Sequence, residues 1–258
     1  MNSRHIPALL AALLTFAACG GGSSSTPPPP SPPPPPPPPV NEAMGGFWAG
    51  VLTFDMTQTS ELFVGLVSED GRFSFISAES DIQFTGSQQV DVAHVVGSGL
   101  GYADPGATWL DMTPVTAVST DGTVDERNTY SGIWSTASGE SGSFDFFYDQ
   151  EYERDSSLAL LEGAWTAYDD MGVPVATFTI DAGGAFNGQN VNGCVSSGTF
   201  SIIDPNYNAY SVDSTISNCF IAGDYFGLAA VGDISAVNDA IILTISNDDR
   251  AIVLGLEK

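Results

Sequence analysis

The most informative stretch for the fold is residues 62–76, LFVGLVSEDGRFSFI, in which two short apolar runs flank a polar turn. The runs Leu62–Val67 and Phe73–Ile76 are rich in branched and aromatic residues, which favour β-strands. Between them, Asp70-Gly71 is a dipeptide typical of tight hairpin turns. This stretch therefore predicts a β-hairpin.

The same pattern recurs along the chain from Gly45 onward, at intervals of about ten residues. Further turns are predicted at Asp121-Gly122 and Gly183-Gly184. Only Ser156–Glu162 has helical character, because Ser156 or Ser157 can cap a short helix that Gly163 ends. The sequence predicts an all-β protein. The other predicted strands are Val90–Val96, Ala176–Ile180, Cys194–Ile203, Ala240–Ile245 and Ala251–Leu256.

Three pairs of short motifs predict that the body is duplicated. Residues 46–50 (GFWAG) resemble residues 163–167 (GAWTA), and each is followed by a Gly-x-Phe, at Gly71 and Gly184. A Tyr-x-Gly motif comes later in each half, at Tyr130 and Tyr225. We expect two related modules, 45–150 and 156–258, each with about eight strands.

Each module is expected to be a small antiparallel barrel, with a β-sandwich as the alternative. The barrel is favoured because neither half has the Cys…Trp…Cys spacing of immunoglobulin domains. The expected fold class is therefore all-β, with two barrel-like modules following an N-terminal tether.

The first 18 residues have the pattern of a secretory signal peptide, with Arg4 and His5 before a short apolar run. Small residues precede Cys19, which predicts a bacterial lipobox and lipid attachment at Cys19. Two or more acyl chains would give a stable membrane anchor. Gly20 after the cysteine favours the outer membrane by the sorting convention of Gram-negative lipoproteins. The alternative is ordinary cleavage that leaves a free cysteine.

Residues 19–44 are predicted to be a tether between the anchor and the body. Gly20–Ser25 is a flexible Gly/Ser stretch, and Pro27–Pro39 is interrupted only by Ser31. Polyproline II of this length spans about 40 Å and acts as a semi-rigid spacer. A ligand for a proline-recognition domain is the alternative.

The charge balance excludes one class of partner. The chain has 31 acidic and 6 basic residues, for a formal net charge of -25. Such a surface repels nucleic acids and anionic lipids, so we expect no nucleic-acid partner. The acidity suits a soluble exported domain, with a site for cations or basic partners as the alternative.

Cys194 and Cys219 are the cysteines that remain after Cys19. In an exported protein they predict a disulfide, which would stabilise the fold by about 3 kcal/mol for a loop of about 25 residues. A metal site is disfavoured because no histidine lies near them in the sequence.

Two resemblances extend this interpretation. The Gly-x-Trp at the start of each module resembles the opening motif of lipocalins, in which the tryptophan closes one end of the barrel. The chain also resembles an uncharacterised group of proteobacterial surface or periplasmic lipoproteins with lipocalin-like barrels, at residues 147–152, 157–165, Gly193-Cys194, Cys219 and Leu254-Gly255-Leu256. The second resemblance implies the Cys194–Cys219 bridge and residence in the cell envelope, and it implies no activity.

The sequence indicates no catalytic or metal centre. His94 is the one histidine of the predicted mature chain, in a predicted strand with Val90, Val92 and Val96 on the same face. We interpret it as a residue of the barrel interior, with a Ser-His-Asp triad as the alternative. The acidic sets Asp169-Asp170 and Asp121…Asp125-Glu126 do not fit a calcium loop, and we expect no cofactor.

These features predict a lipid-anchored exported binding or interaction protein without catalytic activity. Its expected location is the bacterial cell envelope, at the outer membrane, facing either the periplasm or the surface. The expected partners are the membrane, through the anchor at Cys19, and a protein or a small apolar ligand. The alternatives are a lipocalin-like carrier of a small apolar ligand inside one barrel and a carboxylate-based hydrolase. The sequence predicts no oligomeric state.

Overall fold

The structure is a computed structural model that describes residues 41, 43–169 and 171–258. The predicted signal peptide, Cys19 and nearly all of the predicted tether lie outside the described residues. The described part forms two closed antiparallel barrels of eight strands each, the first from the N-terminal eight strands and the second from the C-terminal eight. The predicted fold class is therefore confirmed.

Barrel 1 comprises the first eight strands, and each strand pairs with its neighbours in sequence. Six residue pairs close the barrel between its first and last strands, from Phe47↔Asp149 to Leu52↔Phe144. Closure leaves no free sheet edge. The strands are β1 (Gly46–Phe54), β2 (Thr59–Val67), β3 (Arg72–Ser77), β4 (Gln83–Asp91), β5 (His94–Tyr102), β6 (Val115–Asp125), β7 (Thr129–Thr136) and β8 (Ser141–Asp149).

Barrel 2 repeats this plan and closes where Glu257 pairs with Thr166. A 3₁₀ turn at Gln150–Glu153 and a short helix α1 (Leu158–Leu161) connect it to barrel 1. The strands are β9 (Gly163–Tyr168), β10 (Pro174–Ile180), β11 (Ala185–Asn190), β12 (Val195–Ile202), β13 (Tyr210–Ser217), β14 (Gly223–Gly232), β15 (Ala240–Ser246) and β16 (Ala251–Glu257).

The predicted helical turn is confirmed. The Ser157 hydroxyl accepts a hydrogen bond from Ala159 N at 3.2 Å, which caps the first turn of α1. The helix ends before Gly163, whose φ of 132° few other residues adopt. No helix among the described residues has the length and apolar character needed to cross a membrane.

Side chains fill the interior of barrel 1. Its core is largely aromatic, with Trp48, Phe63, Phe75, Tyr130 and Phe146 among the buried residues. A cavity of about 20 Å³ remains beside them, which is room for one water molecule. The ligand cavity expected in the carrier hypothesis is therefore not inside barrel 1.

The polar atoms at this small cavity distinguish barrel 1 from barrel 2. Gln88 and Thr120 each have a buried polar atom without a hydrogen-bond partner among the described residues. Burial also raises the pKa of the neighbouring Tyr130 to about 12, because the ionised form is poorly solvated there. Phe200, a core residue, takes the place of Gln88 in barrel 2.

Two of the three motif pairs occupy equivalent places in the barrels. Gly71 and Gly184 begin the turn into the third strand of their barrels, with φ of 83° and 84°. Each carbonyl accepts a hydrogen bond at 2.8 Å from the fourth strand, from Gln88 N and Phe200 N respectively. Only glycine adopts such φ values readily, which explains why this motif can be recognised in the sequence.

The tryptophans of the first motif pair are also equivalent. Trp48 Nε1 donates to Met44 O at 3.2 Å, and Trp165 Nε1 donates to Leu161 O at 2.6 Å, each four residues earlier. Both indoles are buried in the core of their barrel. The lipocalin-like motif therefore has the same hydrogen bond in both copies.

A cross-strand pair next to these tryptophans has its two residues exchanged between the barrels. Gly65 of β2 opposes Phe75 of β3, whereas Phe178 of β10 opposes Gly188 of β11. In each pair the phenylalanine ring covers the glycine. The exchange conserves the volume of the pair, which a packed core requires.

The third motif pair is not equivalent. Tyr130 lies in the seventh strand of barrel 1, whereas Tyr225 lies in the sixth strand of barrel 2. Both side chains are buried, and the glycine two residues later approaches the backbone of a neighbouring strand, β6 for Gly132 and β15 for Gly227. The motif suits any inward-facing position on a tightly curved sheet, so this part of the predicted alignment is wrong.

Two local predictions are also wrong. Val90–Val96 is not one strand, because β4 and β5 meet there in a hairpin with Asp91 opposite His94. Val92 has a φ of 61° in this turn, which is rare for a β-branched residue, so the sequence contains no turn signal. Asp121-Gly122 lies inside β6 rather than in a turn.

The predicted Cys194–Cys219 disulfide is confirmed, with the two Cα atoms 5.1 Å apart. Cys194 directly precedes β12, and Cys219 lies two residues after the end of β13, near the cross-strand pair Val195↔Ser217. The bridge therefore fastens the open end of the β12–β13 hairpin, and its presence is typical of proteins outside the reducing cytosol.

Candidate functional site

The two barrels pack side by side through residues on their outer faces. Leu66 of β2 and Tyr152 of the connecting 3₁₀ turn form a small apolar cluster with Leu228 and Ala230 of β14. Tyr152 is fully buried, and its ring stacks on Tyr207 with the centroids 5.1 Å apart. The connecting segment is thus part of the contact between the barrels.

Polar contacts also join barrel 2 to the connecting segment and to barrel 1. Arg154 makes two hydrogen bonds to the carboxylate of Asp233, at 2.8 and 2.9 Å. Tyr102 Oη of barrel 1 donates to Asn247 O of barrel 2 at 2.9 Å. Such bidentate and cross-barrel bonds fix the relative orientation of two packed faces.

A cleft of about 270 Å³ lies between the barrels beside these contacts. On the barrel 1 side, the wall of the cleft consists of two cross-strand rows of residues from the adjacent strands β1, β2 and β3. The register places Phe47, Leu66 and Ser74 in one row and Ala49, Val64 and Ile76 in the next. All six point outward, because the alternate residues of these strands fill the barrel core.

The barrel 2 side of the cleft consists of two strands. Leu228 of β14 opposes Thr244 of β15, and Ala230 opposes Ile242. The Thr244 hydroxyl donates to Leu228 O at 3.3 Å, so this polar group already has a partner within barrel 2. This wall is therefore apolar as well.

Ser74 is the one polar residue among the six outward-facing residues of the barrel 1 wall. Its side chain is 5% exposed and lines the cleft. The hydroxyl has no hydrogen-bond partner among the described residues. A buried hydroxyl without a partner costs about 1–3 kcal/mol, so a ligand that bonds to Ser74 would gain affinity.

Two carboxylates stand at the mouth of the cleft, and no basic side chain of the described residues lines it. Asp149 opposes Phe47 in the row that contains Ser74, and its Oδ1 accepts from Glu151 N at 2.9 Å. The Glu151 carboxylate accepts from Arg154 at 3.1 Å. The mouth thus has excess negative charge, since the guanidinium of Arg154 is shared with Asp233.

A third carboxylate, Glu69, is partly exposed to solvent beside Tyr152, which packs between the barrels. Tyr152 Oη donates to Glu69 Oε1 at 3.3 Å. Burial raises the pKa of Glu69 above its usual value, and the nearby charge of Asp204 acts in the same direction, although the Tyr152 hydrogen bond opposes both. The ionised form of Glu69 therefore costs free energy in the folded protein.

Glu69→Gln is expected to make the protein more stable than the wild type at pH 7, because it removes this ionised group. A raised carboxyl pKa favours folding below the unfolded pKa, and that contribution is lost as the pH rises through the folded pKa. The advantage of the variant should therefore shrink when urea midpoints are compared at pH 4. Glu162→Gln, which removes an exposed carboxylate, is the control variant. Equal behaviour of the two variants would contradict the argument.

His94 does not lie in a barrel interior, so that interpretation is wrong. Its side chain is exposed, and Nε2 lies 2.9 Å from Asp121 Oδ1 on the outer surface. The outward position follows from the hairpin at Asp91–His94, which shifts the predicted alternation. Among the described residues, no group of three or more His, Cys, Asp and Glu side chains is arranged to hold a metal ion.

The cleft was missed at the sequence level, although a signal for it exists. Outward-facing positions of a barrel strand are normally polar, whereas residues 62–67, 226–231 and 240–245 are apolar at nearly every position. Continuous apolar runs of this length indicate strands that are covered on both faces. They mark β2, β14 and β15, which supply much of the cleft wall.

Comparisons with protein-family models, curated proteins and solved structures find no match to this chain. The candidate site is therefore defined by its own geometry.

Proposed function

We propose that this protein is an exported binding protein that holds a small, largely apolar ligand in the cleft between its two barrels. The observation that carries the proposal is the cleft of about 270 Å³ with apolar walls from both barrels and a buried hydroxyl without a partner. Binding pockets are typically concave and apolar, with a few polar groups that orient the ligand.

The cleft is better suited to a ligand than the interior of barrel 1. The cavity in that interior holds about 20 Å³, whereas the cleft approaches the lower end of the range for drug-sized ligands. In this proposal the protein resembles a lipocalin-like carrier in purpose, but its ligand lies between barrels rather than within one. The proposed role is binding without catalysis.

Ile242→Trp is expected to weaken binding of the neutral apolar dye Nile red by at least about tenfold, because the indole would fill the cleft. Ile242 is 55% exposed, so the larger side chain can enter the cleft without disturbing the barrel core. Binding is followed by the increase in dye fluorescence. Val253→Trp is the matched control, since Val253 opposes Thr244 from the next strand but does not line the cleft. If both variants bind the dye like the wild type, the proposal is wrong.

The proposal includes anchoring of the protein in the bacterial cell envelope through acylated Cys19, as the sequence predicts. The disulfide supports export from the cytosol. Cys19→Ala is expected to move the protein from the membrane fraction to the soluble fraction, because the acyl chains would be absent. Globomycin, which blocks lipoprotein signal cleavage, should cause accumulation of the precursor. An unchanged membrane fraction in the Cys19→Ala variant would rule out this anchor.

A further inference from the structure

The residues that line the cleft indicate which chemical class of ligand it would bind. This inference rests on the proposed function, that the cleft is a ligand-binding site. Three kinds of surface follow one another along a single row of the barrel 1 sheet: Asp149 of β8, then Phe47 and Leu66, then Ser74 of β3. A carboxylate therefore begins the row, two apolar side chains continue it, and a buried hydroxyl ends it.

The spacing of these groups favours an elongated ligand. Asp149 and Ser74 are separated by three inter-strand steps, which is about 14 Å along the sheet. Phe47 and Leu66 lie between them, and Leu228 of barrel 2 also lines the cleft with them. A ligand that satisfies both ends must be apolar along its length and polar at each end.

The two ends differ in what they can bind. Ser74 is 5% exposed and can donate or accept one hydrogen bond, which suits a hydroxyl or amine group. At the other end, the carboxylates of Asp149 and Glu151 attract a cation and repel an anion. Arg154 offsets this charge only in part, because its guanidinium is bound to Asp233 through two hydrogen bonds.

We propose that the cleft binds elongated cationic amphiphiles, with an ammonium group at Asp149 and Glu151 and a neutral hydrogen-bonding group at Ser74. Fatty acids and other apolar carboxylates are selected against, because the described lining offers acidic and no basic side chains. The strong negative charge of the whole chain, -25, acts in the same direction by raising the local concentration of cations.

The test compares ten-carbon compounds that differ only at their ends, by isothermal titration calorimetry on the purified protein at monomeric ligand concentrations. The probes are ω-aminodecanol, decylamine, ω-hydroxydecanoate and neutral decanol. Aminodecanol is expected to bind about tenfold more tightly than hydroxydecanoate, because the carboxylates of Asp149 and Glu151 attract its ammonium group and repel the carboxylate of hydroxydecanoate. It should bind about fivefold more tightly than decylamine, through the hydrogen bond to Ser74.

Variants assign each preference to its residues. Asp149→Asn combined with Glu151→Gln keeps the local hydrogen-bonding groups and should remove the preference for amine over acid. Asp145→Asn, on the same strand but outside the cleft lining, should change nothing. Ser74→Ala should lower the affinity for aminodecanol to that for decylamine.

The outcomes separate this inference from the proposed function. If decanol binds and hydroxydecanoate binds as tightly as aminodecanol, the cationic class is wrong and the cleft remains a binding site. If no ten-carbon probe binds and Nile red is insensitive to Ile242→Trp, both are wrong.

Discussion

Trp165→Ala is expected to lower the free energy of unfolding by about 3–5 kcal/mol, the range for removing a large aromatic side chain from a packed core. Trp165 is 1% exposed and lies in the main apolar cluster of barrel 2. Its indole nitrogen also donates to Leu161 O at 2.6 Å, which ties α1 to the first strand of the barrel. The loss of both packing and hydrogen bond would show as a shift in the urea midpoint.

Two further variants separate the causes of that effect. Trp165→Phe keeps most of the aromatic volume but removes the N–H donor. It should therefore lower the free energy of unfolding by less, about 1–2 kcal/mol. Phe226→Ala removes an aromatic side chain that is 61% exposed, and its effect should stay within about 0.5 kcal/mol. A Trp165→Ala protein as stable as the Phe226→Ala protein would contradict the proposed role of the indole in the core.

Because Trp48 makes the equivalent hydrogen bond in barrel 1, Trp48→Ala is expected to lower the free energy of unfolding by an amount similar to Trp165→Ala. The correspondence of the two tryptophans would then hold in energetics as well as in geometry.

Loss of the Cys194–Cys219 bridge has the second largest expected effect. The double variant Cys194→Ala/Cys219→Ala should have a free energy of unfolding lower by about 3 kcal/mol, since the bridge closes a loop of 25 residues in the unfolded chain. Urea unfolding of the wild type in the presence of a reductant should give a similar loss. The reductant should not affect the double variant, which serves as the control. A wild type whose midpoint is unchanged by complete reduction would contradict this expectation.

The sequence predicted the elements that depend on local patterns. The hairpin at residues 62–76, the cap at Ser157 and the turn at Gly184 all follow from residue types with strong local preferences. The hairpin at Val92 had no such signal, because a valine with positive φ is held there by the pairing of β4 with β5. His94 was misplaced for the same reason, since one shifted residue reverses every face that follows.

The amino-acid sequence by itself determined the all-β class, the two eight-stranded modules and the cysteine pair, because alternation, turn residues and thiols act over short distances or by their chemistry alone. Only the tertiary structure decided where a ligand can bind. The cleft requires the outward faces of β1–β3 to meet those of β14 and β15, which are far apart in the chain. Leu66, Leu228 and Ala230 are buried where the barrels pack together, and Ser74 has its buried position in the cleft beside them.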